Sequence, residues 1–394
     1  MTDTLFLALA YIRHTAVRSA VLVVALALIL FVPLATRLVL SAAETQLTAR
    51  AEATPLMIGA RGSALDLLMN GLYFTDARPE RISMAAADAV WDSGLAIALP
   101  LHVQYRARGA PVVGTTLDYF AFRGLEVRDG RGLALLGEAV VGARAAARLG
   151  LRPGDTVVTD PETLFDLAGT YPLELSVVGV FAPTGSADDD AVFVDVQTAW
   201  VIEGIGHGHD DIVAADMVVR EDAAGRVASA ALRQFTRITP ETIDSFHFHG
   251  DPAGFPLSSV IAVPPDARSA AVLRGRYLGE GPTLVILPGT VVADLLATVF
   301  RIGQILDAVF AIVGAAAAIA VGLALYLSFR LRAEEMATAH RLGCQRLTIA
   351  RLLGADAFLI AVAATGLAAL GIGLFSNEAE IVAIWLVTDA GGGG

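Results

Sequence analysis

The chain has 394 residues, 55% hydrophobic and 17% charged, with a mean hydropathy of +0.63 and a net charge of −12, which is too apolar for an ordinary soluble protein and argues against intrinsic disorder. All 28 basic residues are Arg, so a Walker A loop, which ends in Gly-Lys-Ser/Thr, is absent, and the acidic balance without a basic tract argues against nucleic acid as a partner. A single cysteine, Cys344, excludes an internal disulfide framework and a multi-thiolate zinc site.

Residues 1–18 form an amphipathic segment, Leu5, Phe6, Ala8, Leu9 and Ile12 against Arg13 and Arg18, suited to lying along the cytoplasmic membrane face. Residues 19–40 read as a first transmembrane helix: Ser19 to Thr36 is uncharged, and the apolar character resumes after Arg37. Ser41-Ala42-Ala43 also offers a signal-peptide cleavage site, but the apolar stretch is longer than a usual signal-peptide core, which favours a retained anchor.

Residues 41–294 read as an extracytoplasmic α+β domain. Strand-like runs are Leu173 to Phe181, Ala191 to Val196, Val213 to Arg220 and Leu257 to Val263. Glu138 to Leu149 is predicted as a helix stopped by Gly150. Residues 295–329 hold a second span, residues 330–352 a short loop, and residues 353–377 a third span. In 378–394 only Ile381 to Val387 is apolar, roughly 10 Å as a helix, so a fourth helix is expected to be incomplete or missing.

Orientation follows from Arg placement. Arg13 and Arg18 precede the first span, and the loop carries Arg330, Arg332, Arg341, Arg346 and Arg351 against Glu334 and Glu335. Both segments are expected in the cytoplasm and the large domain outside. From Glu44 to Asp294 there are 19 Arg and 32 acids, so the net negative charge belongs to that domain. The spans hold few polar groups and no polar-lined pore is apparent; small residues such as Gly314, Ala318 and Gly322 allow close helix approach.

Two His-x-His units are the sharpest chemical feature outside the spans. His207-Gly208-His209 is followed by Asp210 and Asp211, and in Phe246-His247-Phe248-His249 a strand places both imidazoles on one face and both rings on the other. Imidazoles and a carboxylate are zinc ligands, so His207, His209, Asp210, Asp211, His247 and His249 are candidate ligands for zinc. Whether the two units meet in space is not set by their spacing. Asp188-Asp189-Asp190 lacks the alternating spacing of a calcium loop and reads as a solvated turn. No Gly-x-Ser-x-Gly occurs, and Gly130-Arg131-Gly132 lacks dinucleotide-binding spacing, so no enzymatic activity is expected of this chain.

Several stretches together resemble the FtsX/MacB-type ABC transporter permeases. LALAYIRHTAVRSAVL looks like their opening amphipathic helix and first span. GTTLDYFAFRGLEVRDGR, GEAVVGARAAARLGLRPGD and LSVVGVF resemble their periplasmic core domain, and FRLRAEEMATAHRLGCQRLTIARLL resembles their cytoplasmic loop. The resemblance implies a multi-pass protein of the bacterial inner membrane. It further implies a permease homodimer working with a separate cytoplasmic ABC ATPase for export or mechanotransmission, and a periplasmic partner protein. On that basis Arg332, Glu334, Glu335, Arg341, Leu342, Gly343 and Arg346 are the expected ATPase contacts, the loop also being placed to meet anionic membrane lipid. Members normally end in a fourth span, from which this chain departs. The alternative function is a membrane-anchored binding or sensing module, zinc-related through its His pairs.

Overall fold

The computed structural model describes residues 2–161, 172–208, 218–222, 225–228, 235–279, 281–331, 333–341, 343 and 345–389. Two compact units divide the chain, Met1–Thr45 with Asp294–Trp385 in one and Gln46–Ala293 with Leu386–Gly394 in the other.

The first unit is helical. Its elements are α1 (Thr2–His14), most of α2 (Ala16–Glu52), most of α9 (Pro288–Leu331), α10 (Ala333–Arg341) and most of α11 (Arg346–Asp389). Three helical stretches, Ala16–Glu52, Pro288–Ala324 and Ala350–Ser376, are long and apolar enough to cross a membrane. Large apolar side chains such as Val17, Ile312 and Leu374 are exposed along them, as expected where lipid replaces water. Small residues bring helices together: Ala27 packs with Ala364 and Ala368, and Phe31 meets Phe375 edge-on with ring centroids 6.1 Å apart. Arg37 and Asp307 form a two-pronged ion pair, 2.7 Å at its shorter contact, beside a cavity of about 480 Å³ that Pro33, Phe300 and Phe310 also line. Helix α11 runs through to Asp389, past the end of the apolar run at Asn377. Between Asn377 and Asp389 there is no Gly or Pro to stop it.

The second unit is α+β. Its strands are β1 (Leu56–Ala60), β2 (Ile82–Ser83), β3 (Ile97–Ala107), β4 (Ala110–Thr115), β5 (Val127–Gly130), β6 (Glu138–Val141), β7 (Thr156–Val158), β8 (Glu174–Phe181), β9 (Val192–Asp195), β10 (Gly206–Gly208), β11 (Val218–Asp222), β12 (Gly225–Ala228), β13 (Phe246–Phe248), β14 (Pro256–Leu257), β15 (Ser259–Val263) and β16 (Thr283–Ile286). Helices α3 (Ala64–Tyr73), α4 (Met84–Asp92), α5 (Leu117–Arg123), α6 (Ala143–Leu149), α7 (Val196–Ile202) and α8 (Ala267–Arg276) connect them. A ten-stranded mixed sheet runs in the order β16-β1-β15-β3-β4-β9-β6-β8-β5, with β7 also pairing β8. Its parallel pairs are β4 with β9 and β6 with β8.

Local chemistry explains several turns. The tight β3–β4 hairpin puts Arg108 at φ +50° and Gly109 at φ +78°, the two left-handed positions such a hairpin needs. The Asp160 carboxylate accepts both of their backbone N–H groups, at 2.9 and 2.8 Å, which offsets the strain at the non-glycine Arg108. The stretch Glu138 to Leu149, expected as one helix, divides into β6 and α6. All four residues of β6 are buried, and its apolar residues Ala139, Val140 and Val141 pair with β8 on one side and β9 on the other, so the backbone is extended here; the helix begins only after Gly142. A Cβ at Gly142 would lie 2.2 Å from the Asp188 carbonyl oxygen, so only glycine fits this junction. Gly150, at φ +69°, does cap α6. Of the other strand-like runs, Val213 to Arg220 is seen from Val218 onward and its residues 213–217 lie outside the described residues.

Two apolar cores fill this unit. One gathers Ala139, Val141, Leu175, Val177, Val192 and Val194. The other gathers Leu56, Ile58, Val90, Ala98, Leu257 and Val260. Helix α7 sends Ala199 and Val201 to the first and Val196 and Trp200 to the second, and Phe248 packs against both.

Candidate functional sites

Strands β10 and β13 pair antiparallel with Gly206 opposite Phe248, His207 opposite His247 and Gly208 opposite Phe246. The period of two puts the rings of Phe246 and Phe248 on one face and the imidazoles on the other. The glycines are required by the rings. A Cβ at Gly206 would come within 2.7 Å of the Phe248 ring, and one at Gly208 within 2.5 Å of the Phe246 ring. The aromatic face is thereby held on the cores, and His207, His247 and His249 gather on the other.

The three imidazoles form a near-equilateral triangle, with ring centroids 4.9 Å apart for His207 and His247, 4.9 Å for His207 and His249, and 4.8 Å for His247 and His249. One ligating nitrogen from each lies within 4.8 Å of the other two. His247 Nδ1 donates to the Ser245 carbonyl oxygen at 3.1 Å, which fixes the proton on Nδ1 and the lone pair on Nε2. The structure thus joins His207 of the first His-x-His pair to both His247 and His249 of the second. His209, Asp210 and Asp211 lie outside the described residues.

The Asp188-Asp189-Asp190 run, expected as a solvated turn, is the anchor of a buried ion network. Asp188 and Asp189 are 3% and 2% exposed. Arg50, in the last turn of α2, clamps Asp188 through Nη1 to Oδ2 at 2.5 Å and Nη2 to Oδ1 at 2.9 Å. Tyr119 donates its hydroxyl to Asp188 Oδ1 at 2.8 Å and accepts from Arg50 Nη2 at 3.0 Å. Arg144 holds the other two carboxylates, Asp189 at 3.0 Å and Asp190 at 2.7 Å. The Arg50 and Tyr119 partners of Asp188 are distant in sequence, which is why the run looks like a turn when read alone.

Electrostatics follow from burial and pairing. Burial alone would raise the Asp188 carboxyl, but the Arg50 charge and its hydrogen bonds hold it down at about 2. Burial pushes the Tyr119 hydroxyl up to about 12, with the Asp188 charge adding to it. A second buried pair was also not legible. His102, fully buried, places Nε2 2.9 Å from the carboxylate of Glu203, which Arg81 also contacts. Burial would raise Glu203, but His102 and Arg81 together hold it below the usual range.

Among the expected ATPase contacts, Glu334 and Arg341 are exposed on α10, a nine-residue helix with one apolar and one charged side. Gly343 is exposed and takes φ +100°, its N–H bonding the His340 carbonyl at 3.0 Å, so the chain turns sharply before α11. Only the backbone of Glu335 and Arg346 is described, and Arg332 and Leu342 lie outside the described residues.

The family model of the MacB-like periplasmic core domain matches residues 22–234, more than half of the chain. Among solved structures, the periplasmic region of MacB from Actinobacillus actinomycetemcomitans shares 12% identity and covers 62% of this chain and 93% of its own, with a TM-score of 0.34. The extracellular domain of the noncanonic ABC-type transporter YknZ from Gram-positive bacteria shares 12% identity, covering 59% of this chain and 98% of its own, with a TM-score of 0.32. No curated protein matches the chain.

Proposed function

Since the chain belongs to the MacB-like family of ABC transporter permeases, we propose that it is the membrane subunit of a transporter powered by ATP hydrolysis in a separate cytoplasmic chain. The observation that carries this reading is the match over residues 22–234, which runs from the first apolar helix into the α+β unit. Family members work with a cytoplasmic ABC ATPase, and a chain without Lys lacks the P-loop side chain that would hold the nucleotide itself.

In this reading α10 and the turn at Gly343 form the docking element for the ATPase, in the cytoplasm of a bacterial inner membrane. Exposed Glu334 and Arg341 offer one charge of each sign for pairing with a partner chain. The α+β unit stands outside the cytoplasm, and ATP-driven motion reaches it along α2 and α9. Arg50, rooted in α2 and clamped on Asp188, gives that motion a rigid purchase within the α+β unit. Two permease chains with two ATPase chains complete the assembly, and the work done outside is export or mechanotransmission.

Co-expression with an ABC ATPase that co-purifies with the chain tests the docking element. Substituting Glu335→Ala and Arg341→Ala together is expected to reduce ATPase recovery about tenfold while leaving the permease in the membrane. Unchanged recovery of the complex would overturn this assignment of the contact.

A further inference from the structure

We propose that His207, His247 and His249 bind one borderline divalent metal ion, with zinc as the natural occupant, on the imidazole face of the β10–β13 ribbon. The donor chemistry is selective: among the described residues the ligands are three imidazoles, which suit zinc, copper or nickel and not calcium or magnesium, which demand oxygen ligands.

The geometry requires little adjustment. Zinc with nitrogen ligands at 2.0–2.1 Å in a tetrahedral arrangement separates them by about 3.3 Å. Starting from nitrogens within 4.8 Å of one another, each ring has to move inward by about 0.8 Å at most, which small χ rotations inside a rotamer well supply.

The arrangement also has the features that distinguish a ligand set from a chance cluster. The Nδ1–H of His247 is committed to the Ser245 carbonyl oxygen, the outer hydrogen bond that metal-binding histidines use to fix ring orientation and present Nε2. The backbone beneath is anchored: His207 sits in register with His247, and the flanking Phe246 and Phe248 lie over Gly208 and Gly206. His249 lies just beyond β13, where its own N–H bonds the Ile205 carbonyl at 3.1 Å, so the third ring is positioned by backbone as well. The cluster lies at the surface, His249 being exposed, so an ion can reach it from solvent.

Because the opposite face of this ribbon packs on both cores, an ion here ties the ribbon into a fixed register and stiffens the region where the cores meet. The inference stands on the α+β unit alone and does not depend on the transport reading.

The test is calorimetric titration of the purified full-length chain in detergent, carrying a tag without histidine and stripped with chelator, with zinc chloride. One zinc per chain is expected. His247→Ala and, separately, His249→Gln are each expected to weaken binding by at least about tenfold, whereas a His14→Ala, His340→Ala double variant leaves it unchanged. Cobalt(II) added in place of zinc is expected to give the intense visible bands of tetrahedral nitrogen coordination, absent from His247→Ala. No zinc binding by the parent chain, or binding that persists unchanged in both single variants, would overturn the proposal. His249 is exposed, so its variant keeps the test open even if His247→Ala folds poorly.

Discussion

At the residue scale, the fate of Asp188 shows what pairing does to a buried charge. Its carboxylate is 3% exposed and satisfied by Arg50, Tyr119 and Ser186. Asp188→Ala strips the counter-ion from an equally buried guanidinium, and the expected loss of stability is about 3–5 kcal/mol, read as a lower denaturation midpoint of the purified chain. Adding Arg50→Met to that variant is expected to recover much of the loss, because no unpaired charge then remains inside. The pH dependence has a definite sign. The folded value of about 2 lies below the unfolded carboxylate value of 3.8, so the contribution is fully present above pH 3.8 and disappears as the pH falls through about 2. Denaturant midpoints measured between pH 5 and pH 2 should fall for the parent chain and fall less for Asp188→Asn. None of this is legible in three adjacent aspartates, whose cations sit at Arg50 and Arg144.

At the scale of elements, the legible parts are those whose chemistry is local. The alternation in Phe246-His247-Phe248-His249 gives the two faces of β13, and the run from Glu174 to Phe181 reads as a strand from its β-branched residues. Cross-strand register is not local, so the meeting of His207 with His247 comes only from the pairing of β10 with β13. Likewise Ala-Val-Val in β6 has helix-compatible neighbours, and only the flanking strands β8 and β9 decide for extended backbone. The glycines of β10 give a prediction at this scale. Gly208→Ala introduces a Cβ that would lie 2.5 Å from the Phe246 ring, and the displaced ring is expected to cost about 1–3 kcal/mol, measurable by thermal unfolding. Gly254→Ala, where nothing lies within 4 Å, is the matched control and is expected to have little effect.

At the scale of the whole molecule, the apolar helices were the easiest features to read, since a span is defined by its own composition. The order of the ten-stranded sheet was the hardest, because pairings such as β15 with β3 join segments more than a hundred residues apart. The orientation proposed for the membrane has a convenient reporter. Cys344, the single cysteine, falls between α10 and α11 in the loop assigned to the cytoplasm. A membrane-impermeant maleimide is therefore expected to label inside-out vesicles and leave intact spheroplasts unlabelled. The reverse pattern would place the loop, and the docking element with it, on the wrong side.

The shared position of Phe248 and α7 has a consequence for how this unit comes apart. A ring that contacts both cores and a helix that alternates its side chains between them form a party wall, so neither core can melt while the other keeps its packing intact. The two halves of the sheet are thereby made one cooperative folding unit, and disorder that starts at one edge is obliged to spread to the other.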